Sequence, residues 1–489
     1  MDREGQWEEA MMDKIKTSSE MINQNEFPRV LLAGTNSGCG KTTVTCALLG
    51  ALRGTGRVIQ AFKCGPDYID PMFHRTITDR HSRNLDSFLL DRGTVKWLLY
   101  QGGQGADLSV LEGVMGFYDG LGGQRTEGST YEVAEFTRTP VLLVVNSAGM
   151  SLSAVALIKG YMDFRPGNQI QGVIFNQVSA GSYSLLKTLV EDQLHIKVYG
   201  YLPKMPDCAL ESRHLGLIPA EELEELESVM ERLAKQGRDT LDLVGICKLA
   251  AQAEPMDVQP PDFLIKLGQT RRPTVNIAVA KDQAFCFYYQ DNLELLERLG
   301  ASLTFFSPLE DKALPENIHG LYLGGGYPEI FASKLAANVT MKTSIKAALA
   351  GGLPCWAECG GFMYLTHKLH LLDGTEWDMV GYLPGESRMT EGLKRFGYID
   401  LTANEDSLLA KQGARIRGHE FHYSDADHCG TGFKAEKPVG NKMWECFHVS
   451  PVLMAGYPHL HLWGNPDFAR NFISQSIRFK EGSEGGSVL

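Results

Sequence analysis

Positive charge is in deficit in this 489-residue chain: 47 lysines and arginines stand against 59 aspartates and glutamates, a formal charge of −12. Nonspecific nucleic-acid binding needs a basic face to displace counterions, and this balance argues against it. A small anionic ligand is not excluded, because its site needs only a local cluster of donors. No run approaches the roughly 18–20 consecutive apolar residues of a membrane span. The N-terminal stretch MDREGQWEEAMMDKIKTSSEMINQ has no apolar signal core, so a cytoplasmic protein without a membrane partner is the expectation. The ten cysteines form no C-x-x-C pair and no regular framework, which argues against a disulfide scaffold or a zinc ribbon. Mostly inert thiols in a reducing compartment follow.

What is present is α/β alternation, twice over. Short β-branched runs at Val30–Ala33, Val58–Phe62, Leu108–Glu112, Val141–Val145, Val173–Asn176 and Val198–Leu202 alternate with helical patterns at Lys41–Leu52, Leu152–Met162 and Ser182–Gln193. That rhythm predicts a parallel sheet, and VLLVV at 141–145 has the continuous apolar character of a strand covered on both faces. The acidic stretch 220–237 reads as a helix with a solvated face. A proline-rich segment, QAEPMDVQPPDFLIKLGQTRRP, then interrupts the pattern. Alternation resumes at VNIAVA, SLTFF, GLYLGGG and PCWAECGGFMYL. The division expected is an N-terminal extension over 1–26, a first α/β domain over 27–240, a linker over 241–272, a second α/β domain over 273–472, and a disordered tail over 473–489.

LLAGTNSGCGKTTVTCALLG carries the first chemistry. An apolar strand, a glycine-rich turn, Lys41 and Thr42, then an apolar helix is the context of a phosphate-binding loop. Gly34, Thr35, Ser37, Gly38, Gly40, Lys41, Thr42 and Thr43 are the candidate nucleotide contacts, with Lys41 reaching outer phosphates and the Thr42 hydroxyl offered to Mg²⁺. The spacing from Gly34 to Gly40 is one residue longer than in the common motif. FKCGPDYIDPMFH places Lys63, Asp67 and Asp70 after the second strand, at the carboxyl edge where α/β proteins bind ligands. Asp and Pro also favour simple turns; beside a phosphate loop the functional reading is preferred. LEGVMGFYDG ends the third strand in Glu112, positioned to ligate Mg²⁺, and continues to Asp119. Asn176 closes another strand, where it can read an adenine edge or serve as a satisfied loop residue.

In the second half, Cys359 sits between an apolar strand and a glycine turn opening a helix, a nucleophile elbow. Gly360 clears space over the sulfur. Gly325 and Gly326, in GGGYPE, supply backbone N–H groups suited to an oxyanion hole. A thiol nucleophile needs a base, and His419, His422, His448, His459 and His461 are candidates that spacing does not separate.

The longer phosphate loop resembles that of dethiobiotin synthetase and its relatives, which use ATP to activate a carboxylate. FKCGPDYIDPMFH, SRNLD, LEGVMGFYDG, ESRHLGL, GGGYPE, AECGGFMYL and GHEFHYS follow one another in the order of the cobyrinic acid a,c-diamide synthase family, from about residue 28 to about residue 472. The resemblance implies a dethiobiotin-synthetase-like ATP domain fused to a class I glutamine amidotransferase domain. It implies ATP and Mg²⁺ as cofactors, L-glutamine and cobyrinic acid as small-molecule partners, and a homodimer. Cys359 would attack glutamine, with His459, in the Y-x-H segment, as base. The glutamate that completes a triad in many relatives of this class is here His461, so a Cys–His dyad is expected. In the first domain, ATP would phosphorylate peripheral carboxylates. Lys41, Thr42, Glu112 and Asp67 or Asp70 would manage the charge, Asp119 would bind the intermediate, and Arg83 and Arg213 would grip ring carboxylates. Ni-sirohydrochlorin and hydrogenobyrinic acid a,c-diamide synthases and cobyric acid synthase are neighbouring readings; a P-loop partitioning or switch ATPase is one of a different class.

Overall fold

The first domain is built on seven parallel strands: β1 (Arg29–Gly34), β2 (Ile59–Cys64), β3 (Arg83–Leu85), β4 (Leu108–Glu112), β5 (Val141–Asn146), β6 (Ile170–Asn176) and β7 (Lys197–Leu202), ordered β3-β2-β4-β1-β5-β6-β7. In the computed structural model, residues 27–208, 212–213, 216–217, 226–267 and 275–485 are described. β1, β2 and β4 are buried along their whole length, which is why their sequences are largely apolar, with Lys63 and Glu112 near the carboxyl ends of β2 and β4. The carboxyl ends of β1, β2 and β4 lie side by side, with Lys63 in register with Glu112.

The second domain contains a six-stranded sheet of β8 (Val275–Ala280), β9 (Ala301–Phe306), β10 (Gly320–Leu323), β11 (Cys355–Glu358), β12 (His448–Ser450) and β13 (Leu453–Gly456), ordered β9-β8-β10-β11-β13-β12. All its pairings are parallel except β12 with β13. Two further, largely antiparallel sheets fill residues 368–460. One has five strands and includes Arg395–Ala403, Arg415–His422 and His459–Leu460; the other has four. These sheets were not foreseen from the sequence, because most of their strands are short and half-exposed.

Two segments differ from expectation. Within the expected linker 241–272, the helix Leu243–Ala251 buries Ile246, Leu249 and Ala250 in the first domain's core, and Met256 and Val258 are buried too. The helix Asp262–Leu267 leans the other way, with Phe263 edge-on to Trp463 at 5.4 Å. The expected disordered tail is also ordered well past Gln475: the helix Pro466–Gly485 buries Phe468, Phe472, Ile473 and Ser476. The apolar stripe evidently continues far enough to dock the helix.

The domains meet along a polar and aromatic seam. Arg83 on β3 forms ion pairs with Asp291 and Glu294 on the helix Gln290–Arg298, the latter with contacts down to 2.5 Å. Tyr398 donates to Asp86 at 2.8 Å, and Arg417 donates to the Phe88 carbonyl at 2.8 Å. Among the described residues no helix is long and apolar enough to cross a membrane. All ten cysteines are unbridged.

Candidate active site

At the end of β1 the chain turns through Thr35–Gly40 into the helix Lys41–Arg53. Gly40 closes the turn at φ 91°, and a Cβ there would lie 2.0 Å from Asn176 Nδ2, so glycine alone fits. Asn176 donates that nitrogen to the Cys39 carbonyl at 2.9 Å. One N–H of this amide, offered above as an adenine reader, thus braces the loop, as the alternative reading of the residue has it. Ser37 and Gly38 form the exposed tip, and Thr42 and Thr43 open the helix, whose N-terminus is a ready site for an anion. Lys41 lies back along the loop and donates to the Met115 carbonyl at 2.5 Å; burial lowers its pKa.

Beneath the loop is a buried charge cluster. Thr42 Oγ1 donates to Glu112 Oε1 at 2.8 Å and lies 3.4 Å from Asp70 Oδ2. Lys63 Nζ binds Asp70 and, at 2.9 Å, Glu112 Oε1, and donates to the Gly113 carbonyl at 3.1 Å. The other glutamate oxygen meets His74 Nε2 at 2.8 Å, and His74 Nδ1 lies 3.0 Å from Ser82 Oγ. Against the burial that would raise it, Lys63 and His74 hold Glu112 well below the usual carboxylate range. Lys63 in turn, despite burial, is held well above its ordinary value by Asp70 and Glu112.

Asp70 is the aspartate hydrogen-bonded into this cluster; Asp67 caps the helix Asp70–Thr78 instead, its Oδ1 accepting the N–H groups of Ile69 at 2.7 Å and Asp70 at 3.3 Å. Asp119 accepts the N–H of Gly116 at 3.0 Å. Arg83, expected at ring carboxylates, is committed to the domain seam; the side chain of Arg213 lies outside the described residues. His74 was missed by sequence reasoning. Its signal is its spacing, four residues after Asp70 on the same helix face. The hard oxygens of Thr42, Asp70 and Glu112 suit Mg²⁺. Among the described residues no group of three or more His, Cys, Asp or Glu is placed to hold a metal by itself, so a divalent ion here would be shared with phosphate oxygens.

Cys359 stands between β11 and the helix Gly360–Leu365 at φ 47° and ψ −105°, a strained backbone that thrusts out its side chain. Its cavity is lined by Gly326, Tyr327, Glu329, Met363, Met389 and His422. Gly326 and Gly360 lie against one another over this turn, and Gly325 accepts the Phe287 N–H at 3.1 Å. Burial pushes the Cys359 thiol up. His459 sits behind Gly325, where a Cβ would come within 2.6 Å of its Cε1. His459 is buried, its pKa lowered to about 3 by desolvation, and its Nδ1 has no hydrogen bond; Glu358 Oε2 is 3.8 Å away.

The other histidines separate by environment. His422 lines the cysteine cavity, but both its ring nitrogens are engaged, Nδ1 with the Ser424 carbonyl at 2.8 Å and Nε2 with Glu420 at 3.3 Å. His419 pairs with His459 across the sheet. His448 stacks on Phe362. His461 is fully buried against Tyr289 at 4.7 Å with neither ring nitrogen hydrogen-bonded.

The two sites touch at the loop that precedes the helix Asp70–Thr78. Tyr68, between Asp67 and Asp70, inserts its ring among Phe287 (5.1 Å), Tyr289 (4.6 Å) and His459 (5.2 Å) of the second domain.

Comparison with known proteins agrees with both halves. Residues 30–218 match the CobQ/CobB/MinD/ParA nucleotide binding domain, and residues 276–467 match the CobB/CobQ-like glutamine amidotransferase domain. Cobyrinate a,c-diamide synthase of Priestia megaterium is 42% identical over 91% of this chain and 96% of its own. That of Caldanaerobacter subterraneus subsp. tengcongensis is 41% identical over 92% and 98%, and that of Thermoplasma volcanium 40% over 94% and 99%. With a nucleotide domain, a glutaminase elbow and this breadth of identity, the chain belongs to the cobyrinate a,c-diamide synthase family of glutamine-dependent amidotransferases.

Proposed function

We propose that the chain amidates the a- and c-acetate carboxylates of cobyrinic acid, consuming ATP and glutamine. Cys359 attacks the carboxamide carbon of glutamine. His459 takes the thiol proton and returns it to the departing ammonia, and water then hydrolyses the glutamyl thioester. Gly325, Gly326 and Gly360 present backbone N–H groups to the developing oxyanion. His459 is favoured over His422 because the ring nitrogens of His422 are already engaged.

In the first domain the γ-phosphoryl group of ATP passes to an acetate oxygen, and ammonia displaces phosphate from the acyl phosphate to leave an amide. The loop from Gly34 to Thr43 cradles the phosphates. Lys41 and Lys63 offset their charge, and Asn176 keeps the loop in shape. When bound, Mg²⁺ held by Thr42, Asp70 and Glu112 supplies further charge neutralisation. Asp67 and Asp119 keep the two loops that border the acceptor carboxylate in place.

The observation that carries this reading is Tyr68, which belongs to the carboxylate-activating loop and touches the ring of His459. A switch ATPase has no use for such a contact; a synthetase that must deliver ammonia sheltered from protonation does. Cobalt as the ring metal rests on the names of the relatives, since SRNLD is accounted for by the domain seam. Mass spectrometry of products with cobyrinate, hydrogenobyrinate and Ni-sirohydrochlorin offered in parallel tests the substrate: two carboxylate-to-amide conversions on cobyrinate are expected, and exclusive turnover of either rival would overturn it.

A further inference from the structure

Triad glutaminases fix the tautomer of their histidine with a carboxylate that accepts its Nδ1–H, leaving Nε2 free as base. The position that would carry that glutamate is occupied by His461, a group buried without a hydrogen bond and packed on Tyr289. Yet a carboxyl group is present from another direction. Glu358, the last residue of β11 and the neighbour of Cys359, is buried with its Oε2 3.8 Å from His459 Nδ1. We propose that Glu358 is the positioning residue of the glutaminase, accepting the Nδ1–H of His459 in place of the missing triad glutamate.

Three observations converge on this. Glu358 Oε1 accepts the backbone N–H of Leu460 at 2.9 Å, so the carboxyl is tied to the chain immediately after His459. Tyr322 donates its hydroxyl to Oε2 at 3.0 Å, and Tyr322 is itself fixed by stacking on Trp356 at 4.0 Å. His459 Nδ1 has no other partner, although the ring is almost wholly enclosed. A carboxyl held by two donors and facing a third, unsatisfied one is placed for that third bond, which its ionised form accepts. The 3.8 Å gap exceeds a hydrogen bond, and contacts of this kind commonly tighten when substrate binds. Rotation of the imidazole within its aromatic cage of Tyr68 and His419 closes it.

The inference rests on Cys359 and His459 being the glutaminase pair. Glu358→Gln tests it sharply. With Leu460 N–H demanding the amide oxygen, the new NH₂ group faces Nδ1 as a donor and drives the imidazole into the wrong tautomer. The expected result is a fall of about 100-fold in kcat for glutamate release from glutamine, with KM for glutamine changed by less than about threefold. Ammonia-dependent amidation of cobyrinate by the same preparation, which bypasses the thiol, stays within about twofold of wild type and reports an intact fold. Glu358→Asp, which can still ionise and accept, recovers about tenfold of the loss. Near-normal kcat in Glu358→Gln, parallel loss of the glutamine- and ammonia-dependent rates, or an Asp variant no better than Gln would each overturn the assignment. Absence of glutamate release by the wild-type protein would instead overturn the glutaminase reading beneath it.

Discussion

The phosphate site and the cysteine site are both buried at strand ends, but they are electrostatic opposites. Around Glu112 the charges interlock: Lys63 and His74 hold the carboxylate ionised although it is wholly enclosed, while burial, Asp67 and Glu112 raise the neighbouring Asp70. Around Cys359 burial wins. The thiol is pushed up, His459 is brought down to about 3 and Glu358 is raised to about 8. Both domains place a glutamate at the end of a buried strand; only in the first does a lysine meet it. The lesson is one of timing. A site that must receive polyphosphate is built charged beforehand, because desolvating unpaired ions at the moment of binding is expensive. The site around Cys359 is instead built neutral.

Breaking the first site has the largest consequence. Lys63→Met leaves Asp70 and Glu112 buried without their cation, and a loss of about 3–5 kcal/mol in unfolding free energy is expected by denaturant titration. Amidation from either glutamine or ammonia disappears with it. Cys359→Ala is the converse: glutamine use is abolished while ammonia-dependent synthesis and stability persist. Loss of both nitrogen sources in Cys359→Ala would collapse the separation of the two sites. Next, His459→Asn is expected to lower glutamate release by about 100- to 1,000-fold and His422→Asn by less than about tenfold. The reverse order would move the base to the residue that lines the cysteine cavity.

A smaller effect comes from His461. Burial holds its pKa near 3, so the folded protein binds fewer protons than the unfolded chain between pH 3 and about 6.5. Stability is therefore full above about pH 6.5 and is lost as pH falls. His461→Phe, which keeps the ring against Tyr289, should raise unfolding free energy at pH 5 by about 2 kcal/mol relative to its effect at pH 8. Arg83→Met at the seam strips buried Asp291 of its cation and is expected to cost stability, while its effect on chemistry is the mildest. Chemistry at each site survives, but the ratio of amide formed to glutamate released is expected to fall, measured on the same sample.

The architecture of the parallel sheets was legible because two-sided burial writes itself as unbroken apolar runs, as in β1 and β5. The antiparallel strands between Lys368 and Ser450 were not: most are half-exposed pieces of three or four residues, which leave little periodicity, and Arg395–Ala403 and Arg415–His422 are longer. Residues that act through the phosphate loop or the elbow announced themselves by glycine and spacing. Those defined by an encounter across the fold did not: Arg83 meets Asp291, and Tyr68 meets His459, only after both domains have formed. Glu358 lay in plain view beside Cys359. Glu112 was noticed because a lysine–threonine loop preceded it; Glu358 stands in an equally apolar strand with no such flag.

Tyr68 also bears on how far this protein can be taken apart and rebuilt. A replacement glutaminase module with a sound cysteine elbow would still lack the socket of Phe287, Tyr289 and His459 into which that ring fits. Such a chimera would hydrolyse glutamine and activate carboxylates as two unlinked reactions. Compatibility between modules thus includes this aromatic plug as well as the polar seam, and recombination among relatives has to carry plug and socket together.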